Sequence, residues 1–248
     1  MSRSLIAALA AILLWAAPCP AFMPDKDIQS HQAAMLNSPA GQRIAYWAAQ
    51  FIGTPYDTDP LGEYVTRKSI AADDRVDCMY LTFRAAELAL SNSPSGAIDI
   101  ALQMRFITAG LLGPDGSVRN YDDRFQYGED MLRSGKWGDD VTTKLGAPWV
   151  EYPGSRGIKT VDVILAKDVP KMLPALRDGD IIYFVKDAGR RSVGEIVGHI
   201  GIIKRESDGV YMIHASGSKG KGGVVKEVDF ARYAEGMPFV GVMAGRLR

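Results

Sequence analysis

The feature that most constrains this chain is a helical stretch with no polar face. Residues 78–90 read CMYLTFRAAELAL, and only Arg84 and Glu87 in this stretch are charged. Asp77 comes directly before it, and aspartate is a good N-cap for a helix that begins at Cys78. A helix that is apolar nearly all round is stable only in a protein interior. The rest of the domain must therefore be built around it.

Hydrophobic spacing predicts further helices in the first half of the chain. Apolar residues three and four positions apart predict one buried face over residues 41–52, and Gly53 and Pro55 end the pattern. Residues 91–96 are a predicted break after the apolar helix. Two more helices are expected at about residues 98–112 and 125–134.

The C-terminal third changes to short β-branched and aromatic runs separated by Gly, Asp and Ser, a pattern typical of strands. We expect strands at residues 180–185, 198–204, 210–214, 224–228 and 239–243. Residues 206–209 predict the turn of a hairpin between the second and third of them. Helices followed by strands indicate an α+β domain with a mostly antiparallel sheet.

Composition argues for one globular domain and against some partners. Of the 248 residues, 47% are hydrophobic and 23% are charged, as in ordinary globular proteins. The formal net charge is zero, so the chain lacks the basic surplus typical of nucleic-acid binding. We expect no stable membrane insertion of the mature protein, and we expect a monomer.

The first residues predict export. Arg3 precedes an apolar run, Leu5 to Ala17, that is too short to span a bilayer, and a small residue at Ala21 offers a cleavage site. Residues 1–21 are therefore interpreted as a signal peptide, which sends the protein to the periplasm or the medium. Cys19 leaves a lipoprotein signal as an alternative, although Pro18 before it is unfavourable.

The remaining chain divides into an arm and a domain. Residues 22–39 are polar and weakly patterned, so we interpret them as a loosely docked arm with an exposed His31. Residues 40–248 form the predicted single domain, with an insertion at about residues 92–178. The part of the insertion that is rich in Tyr, Trp, Asp and Gly is expected to form long loops along a binding groove.

Signal cleavage would leave Cys78 as the single cysteine of the mature chain, because the chain has two cysteines and the other is Cys19. A single thiol in an exported protein cannot form an internal disulfide. It is therefore either buried and inert, or reactive. Cysteine counting alone leaves both interpretations open.

Two of the three histidines lie on the predicted hairpin. Because strand residues alternate between faces, His199 shares a face with Gly201 and Ile203, and His214 shares one with Met212. A register that joins these faces would bring the two imidazoles within hydrogen-bonding reach. With Cys78, they would supply a thiol nucleophile, its base and a group that orients the base.

Each of these groups has a chemical reason for its place. A helix N-terminus and an imidazolium both lower a thiol pKa, and free N–H groups at Cys78 could hold an oxyanion. Glycine at 198 and 201 is expected to leave room for the helix end.

The alternatives are structural histidines with a buried cysteine, or a zinc site. Zinc would use Cys78, His199, His214 and a carboxylate such as Asp77, but no two of these ligands have the close spacing of zinc motifs. We therefore expect no metal and no cofactor.

Five short motifs occur in an order that resembles the NlpC-type cell-wall cysteine peptidases of the papain-like superfamily. They are Gly53-Thr54-Pro55-Tyr56, Asp77-Cys78, Gly179-Asp180, His199-Ile200-Gly201-Ile202 and His214-Ala215-Ser216. Within the superfamily, the long insertion between cysteine and histidine is most similar to the N-acetylmuramoyl-L-alanine amidase-like family, a former domain of unknown function. A strand with glycine and arginine near residues 241–246 adds to the resemblance.

The resemblance implies a papain-like fold, in which the nucleophile helix packs on an antiparallel sheet or half-barrel. It implies Cys78 as nucleophile, His199 as base and His214 as its orienting group. It further implies that Tyr56 assists the oxyanion or substrate and that Asp77 recognises a substrate amine.

The chain departs from the family after the cysteine, where Met79-Tyr80 replaces Ser-Gly, so we expect substrate preference to differ there. The insertion should also set specificity, through Tyr121, Arg124, Tyr127, Trp137 and Trp149.

The expected function is that of an exported cysteine amidohydrolase that cleaves an amide bond of peptidoglycan through an acyl-enzyme on Cys78. A stem-peptide endopeptidase of the same mechanism and an acyltransferase or lipid esterase are enzymatic alternatives. A wall-binding or metal-binding module is the non-enzymatic alternative.

Overall fold

The computed structural model describes residues 23–248, so the predicted signal peptide and Cys19 lie outside the described residues. The helices of the described part are α1 (Asp25–Met35), α2 (Ala40–Gln50), α3 (Glu63–Thr66), α4 (Cys78–Leu90), α5 (Pro94–Met104), α6 (Gly128–Arg133), α7 (Val169–Met172) and α8 (Phe230–Gly236). The strands are β1 (Asp139–Asp140), β2 (Val150–Pro153), β3 (Thr160–Leu165), β4 (Ile181–Val185), β5 (Val197–Arg205), β6 (Val210–Ser218), β7 (Gly222–Asp229) and β8 (Gly241–Arg246). Within this part of the chain, no helix is long and apolar enough to span a bilayer.

The strands form one sheet in the order β2-β3-β8-β4-β5-β6-β7, and β1 pairs with β8. The pairings are antiparallel throughout this sheet. The predicted α+β class with an antiparallel sheet is therefore confirmed. Each strand expected in the C-terminal third is present, with ends that differ from prediction by a few residues.

Helix α4 lies in the interior, as its sequence requires. It begins and ends at the predicted residues, and Phe83 and Leu88 on it are fully buried. Its apolar side chains join two core clusters on one face of the sheet, where Ile200 and Ile202 of β5 face them. Burying each side chain of this size stabilises the fold by about 2 kcal/mol.

The two charged residues of α4 are also buried, and each has an ion-pair partner. Glu87 binds the guanidinium of Arg105, and Arg84 donates to Asp73 Oδ2 over 2.9 Å. A buried charge is tolerated when it is paired in this way. These pairs tie α4 to the loop before it and to the residue that follows α5.

The opposite face of the sheet is covered by α7 and α8. Phe184 of β4, Ile203 of β5 and Phe230 of α8 are fully buried in the core cluster on this side. The sheet therefore has apolar layers on both faces.

The helices of the insertion differ from prediction. The helix expected at 98–112 runs over Pro94–Met104, because Ser93 caps its N-terminus and Pro94 occupies the first turn, where proline is favourable. Part of the predicted break is thus the start of α5. The helix expected at 125–134 is shorter and spans Gly128–Arg133.

The insertion also contributes strands that the sequence analysis did not predict. β2 and β3 form a hairpin, and β3 extends the sheet by pairing with β8. Val161 and Val163 of β3 are buried. The insertion is therefore partly an extension of the sheet, where long loops had been expected.

The predicted loose arm before residue 40 is mostly helix α1. Ile28 and Gln32, one turn apart, are buried, and Gln32 Nε2 donates to Ser91 Oγ over 2.8 Å. His31 Nδ1 makes a short contact with the Tyr46 hydroxyl. These contacts dock the segment on the domain.

Candidate active site

Cys78 is the first residue of α4, and the cap of this helix is formed by Asp77. Asp77 Oδ1 accepts a hydrogen bond from the backbone N–H of Tyr80 over 2.8 Å, as the sequence predicted for an N-cap. The thiol is partly exposed, and the backbone N–H of Ile200 on β5 is near it. The helix start thus brings Cys78 to the strand that carries His199.

The two histidines meet as the hairpin register predicted. Ile203 pairs with Met212 across β5 and β6, which puts His199 and His214 on one face. His199 Nε2 and His214 Nδ1 are 2.8 Å apart, a hydrogen-bond distance. The structure therefore joins the proposed base to the proposed orienting group.

The thiol and the imidazoles come from opposite sides of the sheet. His199 pairs with Phe184, on the face that α8 covers, whereas α4 covers the face of Ile200. The ladder between β5 and β6 ends at the pair Ile202 and Ile213, although both strands continue. Cys78 lies near this open end. Among the described contacts, no hydrogen bond joins its thiol to either imidazole.

Aromatic rings surround the histidine pair. Phe239 stacks on His199 with centroids 6.4 Å apart, and the ring of Tyr233 on α8 meets His214 edge-on at 4.9 Å. Tyr233 carries no motif, so the sequence offered no signal for this contact. These ring contacts restrict the orientations of both imidazoles.

Burial keeps both imidazoles neutral. Burial, with a smaller contribution from His214, lowers the pKa of His199 to about 3. Burial, followed by the nearby charge of Lys226, lowers the pKa of His214 to about 4. Nε2 of His214 is buried without a partner in the described structure. At neutral pH, the pair consists of two uncharged rings, able to accept a proton.

The thiol is protonated in the resting protein, contrary to the sequence-based expectation of a lowered pKa. Burial and then the charge of Asp77 raise the pKa of Cys78 to about 12. The N–H of Ile200, the charge of Lys219 and the N–H of Met79 act in the opposite direction, in that order. Because burial outweighs these groups, the site begins as a neutral thiol and neutral imidazoles.

The expected role of the two glycines on β5 was wrong. A side chain at Gly201 would collide with Met212, and one at Gly198 would collide with Lys186 and Phe239. Neither glycine makes room for the end of α4. They allow close packing within the sheet and around His199.

Tyr56 lies near Cys78, held by the edge of the sheet. Its backbone N–H donates to Gly223 O over 2.9 Å, and its ring packs on Gly217 of β6. Burial, then the neighbouring Cys78 and Asp77, raise the pKa of its phenol. A protonated phenol at this position can donate a hydrogen bond to an oxyanion.

Lys219 also lies at this site, although no sequence pattern indicated it. Its Nζ lies 3.2 Å from Asp77 Oδ2 and 5.8 Å from the centroid of the Tyr56 ring. Lys219 is 142 residues from Asp77 in the chain, so local pattern could not reveal the pair.

Two of the five expected specificity residues are core residues. Trp137 is fully buried and donates from Nε1 to Met104 O over 3.0 Å, and the buried Tyr121 donates to Ser69 O over 2.5 Å. Neither can touch a substrate, because both side chains are buried. That part of the prediction was wrong.

The other three are at or near the surface. Arg124 Nη1 donates to Tyr121 O over 3.2 Å. The guanidinium carbon of Arg156 lies over the Tyr127 ring, 3.7 Å from the centroid of that ring. Trp149 is 44% exposed.

Met79 and Tyr80, which depart from the family pattern, lie in different environments. Tyr80 is fully buried, donates to Asp73 Oδ1 over 2.6 Å and accepts from the N–H of Ala72 over 2.6 Å. It braces α4 and cannot set substrate preference, which corrects the expectation for this residue. Met79 is partly buried and packs on the core beside Cys78.

No group of three or more His, Cys, Asp or Glu side chains in residues 23–248 is arranged to hold a metal ion. The zinc alternative therefore finds no ligand set in this part of the chain. A cavity of about 830 Å³ opens by the N-terminus of α2 and is lined by Arg177, Arg205, Arg246 and Arg248 among others. It includes none of the candidate catalytic residues, so we assign the chemistry to the Cys78 region.

Comparisons with known proteins give a likeness of fold. No protein-family model matches the sequence, and no curated protein matches it. A Legionella pneumophila protein of the DUF1460 family superimposes with a TM-score of 0.67 at 16% identity, over 89% of this chain and 93% of that one.

Two Bacteroides structures share the fold. A Bacteroides uniformis N-acetylmuramoyl-L-alanine amidase gives a TM-score of 0.62 at 19% identity, over 84% of this chain and 99% of its own. A Bacteroides fragilis protein with a provisional xylanase name gives 0.60 at 19% identity, over 82% of this chain and 100% of its own. The chain thus has the fold of these proteins over most of its length.

Proposed function

We propose that this chain is an exported cysteine hydrolase of the NlpC type that cleaves an amide bond of peptidoglycan, as an N-acetylmuramoyl-L-alanine amidase does. One observation carries the proposal. The thiol at the start of a buried helix lies beside β5, whose His199 is hydrogen-bonded to His214 over 2.8 Å. The amidase among the proteins of the same fold supports the choice of substrate.

The reaction begins from uncharged groups. As the sulfur of Cys78 attacks the amide carbonyl, its proton passes to His199, and a tetrahedral oxyanion forms. Free backbone N–H groups at the start of α4 and the phenol of Tyr56 can donate to this oxygen. His214 holds the ring of His199 and shares the positive charge that develops there.

The tetrahedral intermediate then collapses. His199 returns the proton to the leaving amine as the C–N bond breaks, and a thioester remains on Cys78. Water, deprotonated by His199, attacks the thioester and releases the acid and the thiol. The hydrogen bond from Cys78 to His199 must form when substrate binds, since catalytic hydrogen bonds are often long in free enzymes.

Export would bring the enzyme to its substrate. The signal peptide proposed for residues 1–21 would deliver it to the periplasm or the medium, where the peptide stems of the wall offer amide bonds. The same residues could serve a stem-peptide endopeptidase, so the experiment must identify the bond.

The decisive experiment is digestion of purified muropeptides by the mature protein and by Cys78→Ala, with products weighed by mass spectrometry. We expect the wild type to release intact stem peptides and Cys78→Ala to release none. Products cut within the stem would identify an endopeptidase. Equal product from both proteins would refute Cys78 as nucleophile, and no product from either would favour a wall-binding module or a lipid substrate.

A further inference from the structure

Both carboxylate oxygens of Asp77, beside Cys78, already have partners within the chain. Oδ1 accepts the N–H of Tyr80 over 2.8 Å, and Oδ2 lies 3.2 Å from Nζ of Lys219. The Asp77 side chain is 11% exposed and that of Lys219 is 33% exposed. The family resemblance assigns recognition of a substrate amine to this carboxylate. In this chain the carboxylate is already paired with the ammonium of Lys219.

The tip of the β6–β7 hairpin holds Lys219 in this place. Gly217 lets the Tyr56 ring lie directly on the hairpin backbone, where any side chain would overlap the ring. Gly220 adopts a φ of 84°, a left-handed conformation that favours glycine and turns the tip. The hairpin thus packs on Tyr56 and presents Lys219 to Asp77.

The pair changes the electrostatics that a substrate meets. Lys219 offsets the charge of Asp77, and an incoming ammonium would have to share the carboxylate with the lysine or displace it, in either case close to a like charge. A neutral or acylated group does not meet this repulsion. The lysine is partly exposed, which weakens the pair, so we expect a preference of about tenfold rather than complete exclusion.

We propose that Lys219 is a specificity-determining residue that makes this site reject stem peptides with a free α-amine and accept stems whose N-terminus is still acylated. This inference rests on the proposed function and deepens it, because an acylated stem is what a muramoyl-alanine amidase must cleave. It separates this chain from enzymes that use the same aspartate to bind an ammonium.

The test measures binding on the Cys78→Ala background, so that turnover does not interfere. The two probes are a tripeptide stem with a free α-amine and the same stem N-acetylated, with Kd from calorimetry. We expect the acetylated stem to bind more tightly. In Cys78→Ala/Lys219→Met the free-amine stem should gain about tenfold in affinity, because the methionine has no charge and Asp77 becomes available to the ammonium.

Lys221→Met on the same background is the matched control, because it removes a charge from the same hairpin tip without touching Asp77. It should leave the ratio of the two Kd values unchanged. An unchanged ratio in the Lys219→Met protein, tighter binding of the free-amine stem by Cys78→Ala, or binding of neither stem would each overturn the inference.

The proposed function is judged separately, by cleavage of muropeptides. If the wild type cleaves them but the ratio does not respond to Lys219→Met, only the inference fails. If the ratio responds but no muropeptide is cleaved, the proposed function fails and the assignment of Lys219 stands.

Discussion

At Cys78, burial and the charge of Asp77 act on the thiol pKa against the neighbouring N–H groups and Lys219. Burial and then Asp77 raise the pKa to about 12, while the N–H of Ile200 and the charge of Lys219 act to lower it. The pKa values of the imidazoles are instead lowered, to about 3 for His199 and about 4 for His214. These values give no preformed thiolate–imidazolium pair, so the proposed mechanism requires proton transfer during attack.

This state predicts the pH dependence of Cys78 alkylation. The rate with iodoacetamide should rise about tenfold per pH unit from pH 6 to pH 9 without a plateau, because the thiolate fraction grows throughout that range. Lys219→Met should slow the reaction at each pH, since it removes a charge that lowers the thiol pKa, and Lys221→Met should not. A fast rate that is flat below pH 7 would show an ion pair and contradict the prediction.

Tyr233 gives a second prediction at the residue scale. Its ring meets His214 at 4.9 Å and Phe184 at 5.5 Å, so it acts as a positioning residue for the histidine pair. Tyr233→Ala should lower kcat by about tenfold to a hundredfold, with little change in KM, because a small misplacement of a catalytic group is costly. Steady-state kinetics on a muropeptide measures this split.

Tyr233→Phe is the control, because it keeps the ring and removes only the hydroxyl. It should retain most of the wild-type kcat. A loss equal to that of Tyr233→Ala would mean that the hydroxyl acts directly, and a change in KM alone would refute the positioning role.

At the scale of elements, the sequence predicts what local periodicity determines. The bounds of α4 follow from spacing and are confirmed. Strand alternation gave the face of each histidine, and the register that joins the two faces is supplied by the fold. The hairpin β2–β3 was missed within a segment that was interpreted as loop. Trp137 and Tyr121 were assigned to a groove because composition does not distinguish an aromatic loop from an aromatic core.

The buried ion pair between α4 and the residue after α5 gives a prediction at this scale. Glu87 and Arg105 are almost fully buried and bind each other. Arg105→Met alone should lower the free energy of unfolding by about 3–5 kcal/mol, because it leaves the carboxylate without its main partner in the interior. Urea denaturation measures the loss.

The double variant Glu87→Leu/Arg105→Met tests the cause. Removing both charges should restore most of the lost stability, because no unpaired charge then remains in the interior at these two positions. If the double variant were no more stable than Arg105→Met, the loss would come from packing of the arginine side chain on Tyr80 and Phe83, which it contacts at 4.8 and 5.6 Å.

At the scale of the whole molecule, the site depends on elements far apart in the chain. The cysteine helix, the β5–β6 strands, α8 and the β6–β7 tip each contribute one side of it, and the Asp77–Lys219 contact spans 142 residues. The motifs predict which residues carry the chemistry, because type and order are properties of the sequence. They do not predict the charge state, because burial is a property of the assembled fold.

The assembled fold also predicts how stability depends on pH. The pKa values of the two buried histidines are about 3 and 4 in the folded protein, below the value of about 6.5 for an unfolded chain. Below pH 6.5 the unfolded chain therefore binds more protons than the folded one, and the free energy of unfolding should fall as the pH drops from about 6.5 toward 4. Cys78 acts at alkaline pH. Because its pKa is raised in the folded protein, the thiol of the unfolded chain ionises first above about pH 9, and the free energy of unfolding should fall there.

Urea denaturation at pH 7.5, 5.5 and 4.5 measures the acid limb. His199→Gln/His214→Gln should lose less stability than the wild type between pH 7.5 and 4.5, because it has no buried imidazole to protonate. His31→Gln, which removes the histidine on α1, is the matched control for loss of an imidazole outside the pair. If the double variant and the wild type lost stability in parallel, other groups would have to account for the acid limb and the histidine pair would not.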